Sequence, residues 1–174
     1  DVNDAPVITS NSGGSTASIS YAENSTSTVA TVASSDEDGD TRTYTKSGTD
    51  AGDFNINSSS GALTFASTPN YESAADADGN NTYIVIVTAT DNGSLTDSQT
   101  ITITVTDVNE VPTDISLSST SVNENESSGT TVGALSSTDD DTGDSHTYTL
   151  VSGSGSTDNS SFTISGSNLR TAAS

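Results

Sequence analysis

The sequence predicts an all-β protein built of tandem Greek-key β-sandwiches, each of about seven short strands, with the second incomplete. Three observations predict it. Short runs rich in Thr, Val and Ile alternate in polarity, as in Ile101, Ile103 and Val105 against Thr102 and Thr104, so one face of such a run is buried and the other is wet. Turn residues punctuate the runs: Asn11-Ser12-Gly13-Gly14, Asp38-Gly39, Asp78-Gly79 and Asn92-Gly93. The landmarks of the first part of the chain then return, in order, in the second.

The strand-like runs of the first part hold Val29, Val32, Tyr44, Phe54, Ile56, Leu63 and Phe65, and the clearest are 84–90 and 100–106. No stretch has a helical period. The repeat is read from several matches. Asp1-Val2-Asn3-Asp4-Ala5-Pro6 returns as Asp107-Val108-Asn109-Glu110-Val111-Pro112, and Tyr21-Ala22-Glu23-Asn24 as Val122-Asn123-Glu124-Asn125. Asp36-Glu37-Asp38 returns as Asp139-Asp140-Asp141, and Thr43-Tyr44-Thr45 as Thr147-Tyr148-Thr149. Phe54-Asn55-Ile56 returns as Phe162-Thr163-Ile164, and Gly61-Ala62-Leu63 as Ser167-Asn168-Leu169. The spacing wanders by a few residues, as loop insertions between fixed strands would cause. The expected organisation is a complete repeat over 1–106, a linker over 107–112 and a partial repeat over 113–174.

Counterparts of Tyr71 to Thr106 do not follow in the second repeat, so its last two strands are expected to be missing. One sheet would then lose a central and a neighbouring strand, leaving core and sheet edges open. Two readings fit: a shortened chain, or strands supplied by another molecule. The chain opens on a polar stretch with no signal peptide, and reads as an interior piece of something longer.

Of 174 residues, 24 are Asp or Glu and only 3 are Lys or Arg, giving a formal charge of −21. Such a surplus opposes compaction unless the chain is disordered, adapted to salt, or folded around cations. The strand pattern argues against disorder. Nucleic acid is excluded as a partner, because Arg42, Lys46 and Arg170 are scattered. The longest apolar run, Tyr83-Ile84-Val85-Ile86-Val87, is too short to insert in a membrane. With no Cys, there is no disulfide framework and no thiolate metal site.

Five acidic motifs stand in register: Glu23-Asn24, Asp36-Glu37-Asp38, Asn70-Tyr71-Glu72, Ala89-Thr90-Asp91 and Asp107-Val108-Asn109-Glu110. Together they resemble the cadherin repeat, in the variant of large bacterial surface proteins. Independently, clustered carboxylates and carbonyls are the donors a hard cation such as calcium takes, six to eight at a time. Without an ion such a cluster repels itself; with one, several repulsive pairs become attractive.

The resemblance implies calcium ions that lock neighbouring repeats of the same polypeptide together. At the inter-repeat junction it implies Glu23 and Glu72 from the first repeat, and Asp107, Asn109 and Glu110 from the linker. Val108 would add a backbone oxygen, and Asp139 and Asp141 would come from the second repeat. At the other end, Asn3, Asp4, Asp36, Asp38 and Asp91 would form an upstream half-site. Glu110 and Asn70 stand where the family usually has Asp. The second repeat has no counterpart of Asp91, so the innermost junction ion is expected to be weak or absent.

Other features have plainer readings. Asp76 and Asp78 lie in a segment superficially like a calcium loop, but it lacks the later bidentate Glu and reads as a solvated hairpin. Glu124 reads as solvated, His146 as exposed or hydrogen-bonded, and Tyr44 and Tyr148 as packing residues. The Asp pairs themselves are residue types that favour turns. Sequons such as Asn24-Ser25-Thr26 are expected by chance here. No catalytic residue emerges: a single His and no Cys offer no nucleophile set, so an enzyme is not expected. The expected role is a calcium-rigidified spacer of a secreted or cell-surface adhesin. The alternative is a module for homophilic protein contacts or polysaccharide, although no aromatic strip is evident.

Overall fold

The computed structural model describes residues 2–172, which leaves Asp1 of the first linker motif outside the described residues. The chain divides between Val108 and Asn109 into two compact units. Among the described residues the first holds nine strands and the second four, and helix is limited to three short 3₁₀ turns, as the sequence pattern implies.

In the first unit, β1 (Val7–Ile8) pairs antiparallel with β4 (Ser34–Ser35). Next to β4 along the chain, β3 (Ala30–Thr31) opens a sheet of order β3-β7-β6, with β6 at Phe54–Ile56 and β7 at Ala62–Phe65. A second sheet has the order β2-β9-β8-β5. It consists of β2 (Thr16–Ala22), β5 (Thr43–Ser47), β8 (Thr82–Thr90) and β9 (Thr96–Thr106). The β2–β9 pairing is parallel and the others antiparallel.

Alternation along β8 and β9 builds the core. Tyr83, Val85, Val87 and Ala89 of β8, with Ile101, Ile103 and Val105 of β9, are buried, while Ile84 on the opposite face of β8 is exposed. They meet Ile8, Phe54 and Leu63 of other strands, and Val32 just after β3, in one cluster. The rings of Phe54 and Phe65 lie 4.5 Å apart, and Tyr83 meets both edge-on, a favoured aromatic geometry. Gly61 is required here: its φ is +68° and a Cβ would stand 2.0 Å from the Val32 carbonyl. Gln99, a polar residue with no solvent exposure, ties the sheets' entry together. Its Nε2 donates to the Gly14 carbonyl (2.7 Å) and its Oε1 accepts from Asn11 (3.0 Å), which satisfies an otherwise costly buried amide.

The second unit is a single antiparallel sheet of order β10-β11-β13-β12. Its strands are β10 (Asp114–Leu117), β11 (Thr131–Thr138), β12 (Phe162–Ser165) and β13 (Asn168–Thr171). Register repeats that of the first unit: Ile8 faces Ser34 as Ile115 faces Ser137, and Ile56 faces Leu63 as Ile164 faces Leu169. A hydroxyl pair recurs too, Ser34 with Tyr44 (2.9 Å) and Ser137 with Tyr148 (3.2 Å).

The second sheet does not recur among the described residues. The sequence reading left it with open edges, but the difference goes further. Thr147-Tyr148-Thr149, the counterpart of β5, is not a strand. In the first unit β5 ladders onto β8 and β2 onto β9; without β8 and β9 in the middle, the outer segments have no backbone partners with which to form strands.

Candidate metal centre

Each unit carries its own set of anchored carboxylates. At the start of the first unit, Asp36 closes its loop from within: its Oδ1 accepts from the amides of Asp38 (3.1 Å) and Asp40 (3.2 Å). That is the local turn habit of Asp. Its Oδ2 is shielded from solvent and has no hydrogen-bond partner. The Asp4 amide then donates to Asp38 Oδ2 (2.7 Å), which brings the linker onto the loop.

Asp91, at the end of β8, is tied to the same linker through Asn3, whose Nδ2 donates to Asp91 Oδ2 (2.9 Å). Asn3 fits because Gly93 has no side chain; a Cβ there would stand 2.6 Å from Asn3 Nδ2. Burial acts to raise the Asp91 carboxyl. The hydrogen bonds from Asn3 and the amides of Leu95, Gly93 and Ser94 outweigh it and hold the group below its ordinary value.

At the other end of the first unit, Glu23 is 2 % exposed. Both of its oxygens are held by backbone: Tyr71 N–H donates to Oε2 (2.7 Å) and Val108 N–H to Oε1 (2.9 Å). Glu23 thereby fixes both the segment that carries Glu72 and the segment that follows Asp107. Glu72, Asp107 and Val108 are solvent-exposed.

The second unit repeats the linker contact. Glu110 N–H donates to Asp141 Oδ2 (2.6 Å), as Asp4 does to Asp38. Asp139 Oδ1 accepts from the Asp141 amide (3.2 Å), as Asp36 does from Asp38. The Nδ2 of Asn109 donates to the Glu110 carbonyl (2.7 Å). His146 Nε2 lies 3.8 Å from Asp139 Oδ2, so this His is not isolated. Glu124 is exposed.

The donor set suits a hard cation. It consists of carboxylate, amide and backbone oxygens with no thiolate, and the shielded Asp36 Oδ2 is a ligand atom that no protein donor satisfies. If calcium is bound there, Asp36, Asp38 and the linker residues of the upstream half-site would hold it. It would supply the positive charge that the carboxylates lack.

Asp76 departs from its sequence reading. It is 6 % exposed rather than solvated. Its oxygens accept from the amides of Asn80 (2.9 Å) and Asn81 (3.0 Å). Nearby, the buried Asp50 accepts from the amides of Ala77 (2.9 Å) and Ile84 (2.7 Å). Asp76 closes the segment before β8 on itself, and Asp50 pins it to the sandwich. Burial, then Asp50 and Asp76, push the Asp53 carboxyl up, and the hydrogen bond shared with Asp76 raises that of Asp78. The sequence reading had no signal for Asp50, whose partners lie far along the chain.

Residues 16–106 match the cadherin domain family, more than half of the chain. The chain belongs to the cadherin family. Its cadherin fold is supported by solved structures. Human protocadherin-24 EC1-2 is 22% identical, with a TM-score of 0.65, covering 99% of this chain and 81% of that one. Drosophila N-cadherin EC1-4 is 24% identical, with a TM-score of 0.62, covering 97% of this chain and 41% of that one. Protocadherin gamma B7, extracellular cadherin domains 1-4, is 22% identical at a TM-score of 0.55, covering 97% and 41%. No curated protein sequence matches the chain significantly. The cadherin repeat is an adhesion-type module, and among the described residues no helix is long and apolar enough to cross a membrane.

Proposed function

We propose that this cadherin chain is a calcium-rigidified spacer of an extracellular, cell-surface adhesin. The observation that carries the reading is the duplicated linker contact, Asp4 N–H on Asp38 and Glu110 N–H on Asp141. Each linker is set against the Asp-x-Asp loop of the repeat it enters, where a cation bound to both would stiffen the connection. The proposed junction ligands are Glu23, Glu72, Asp107, Val108, Asn109, Glu110, Asp139 and Asp141, following the family pattern. The proposed upstream half-site is Asn3, Asp4, Asp36, Asp38 and Asp91. The repeats on either side in the same polypeptide are the proposed partners. A charge of −21 adds to the case, since neutralising clustered carboxylates relieves self-repulsion.

Calcium titration by calorimetry, with thermal unfolding in calcium and in chelator, tests this. Chelation is expected to lower the melting temperature, because an ion that binds only the folded state stabilises it. It is also expected to raise protease cleavage near Asp107–Pro112. Asp139→Ala should weaken calcium binding more than Asp76→Ala, whose carboxylate already holds two amides. If chelator changes neither melting nor cleavage, the calcium reading fails.

A further inference from the structure

We infer that Arg42 is a positioning residue that presets the Asp36-Glu37-Asp38 loop for a cation. The chain has only three Lys and Arg residues, and one of them stands four residues past this loop. Arg42 Nη1 donates to the Asp40 carbonyl (2.7 Å) and Nη2 to the Ser34 carbonyl (3.0 Å). Ser34 and Asp40 flank the loop on its two sides. The planar guanidinium therefore straps the loop from outside, while Asp36 Oδ1 closes it from within through the amides of Asp38 and Asp40.

The division of labour follows from atom counting. Both loop ends are tied by donors, so Asp36 need not turn its second oxygen inward to satisfy the backbone. That oxygen, Oδ2, is left shielded and without a protein partner. A lysine cannot do the same work, because a single ammonium presents no fixed fork to two carbonyls. The matching position in the second unit is His146, which approaches the Asp139 carboxylate itself rather than two loop carbonyls. The strap therefore belongs to the first unit.

The inference rests on the calcium reading for its purpose, but its test does not. A positive charge beside a cation site weakens binding by repulsion, so a mere charged neighbour and a strap predict opposite signs. The experiment compares the whole chain with Arg42→Ala and Arg42→Lys. Hydrogen exchange of the Asp38 and Asp40 amides is followed in chelator, and their chemical shifts are followed during a calcium titration. In both variants exchange should quicken about tenfold, the loss of two ordinary hydrogen bonds. Half-saturation should move to severalfold higher calcium in both. Unchanged exchange in both variants overturns the strap. So does tighter calcium binding in Arg42→Ala with wild-type behaviour in Arg42→Lys. Wild-type loop amides that ignore calcium would instead sink the calcium reading at this loop, with the exchange measurement still deciding Arg42.

Discussion

Ile8 and Ile115 occupy matching places in the two units, each opposite a serine on the neighbouring strand. Ile8 is 1% exposed and Ile115 is 58% exposed. The ladders on which they sit are alike; what differs is the layer above. Ile8 lies under the sheet β2-β9-β8-β5, and no such sheet stands among the described residues of the second unit. Backbone pairing is thus separable from burial in this chain. A sheet of one layer can satisfy its hydrogen bonds, but the hydrophobic term that makes it stable requires a second.

The sharpest test of that contrast is a matched pair of truncations. Leu63 is fully buried and Leu169, its counterpart, only half-buried. Leu63→Ala is expected to destabilise the first unit by about 2–5 kcal/mol, the usual range for a fully packed leucine. Leu169→Ala should cost the second unit under ~1 kcal/mol, because a partly wet site neither loses the full transfer energy nor keeps a cavity. Denaturant unfolding with a reporter in each unit measures both. Equal losses would mean that the second unit has a covered core after all.

Glycine supplies a smaller contrast. Gly61 and Gly166 both have positive φ, +68° and +61°, but a Cβ meets the Val32 carbonyl at the first and open space at the second. Gly166→Ala should cost only the left-handed strain, ~1 kcal/mol. Gly61→Ala should cost at least ~3 kcal/mol, since backbone must move as well. The same unfolding measurement applies, and similar costs would show that the close packing against Val32 is not rigid.

The least of the three effects is one of pH. Asp91 has a depressed carboxyl in the fold; it is the first unit's own carboxylate after β8. A depressed carboxyl adds stability that is present above its unfolded value of 3.8. That stability is lost as pH falls from there through the lower folded value. Asp91→Asn should therefore destabilise the first unit at neutral pH and flatten its acid-side decline below about pH 4. Thermal melts between pH 2 and 7 would show it, and an unaltered acid limb would contradict the hydrogen-bonding account.

Much of this was legible along the chain. The alternation of Ile101, Ile103 and Val105 is a local pattern, and the fold keeps it. Asp36 and Asp139 close their own loops with neighbouring amides, which short polar side chains do wherever they stand. The repeat, with its Tyr44 and Tyr148, was also visible as order. Less legible were the contacts that tie distant segments. Gln99 joins β9 to the turn before β2, Asp50 holds Ile84, and Asp76 is drawn inside although its motif looks like a surface turn. No short window of sequence contains both partners of the Gln99 and Asp50 bonds; Asp76 bonds to amides four and five residues on, and what its motif does not announce is its burial.

By itself, then, the sequence determined the alternation of the clearest strands, the repeat and the acidic loops, because each depends on period, turn chemistry or neighbours a few residues apart. Only the tertiary structure decided which apolar faces are covered, which carboxylates are buried, and that Arg42 straps the loop with Asp36 Oδ2 left over. The reason is physical. Burial and strapping depend on which surfaces meet in space, and β8 and β9 are what bring them together in the first unit.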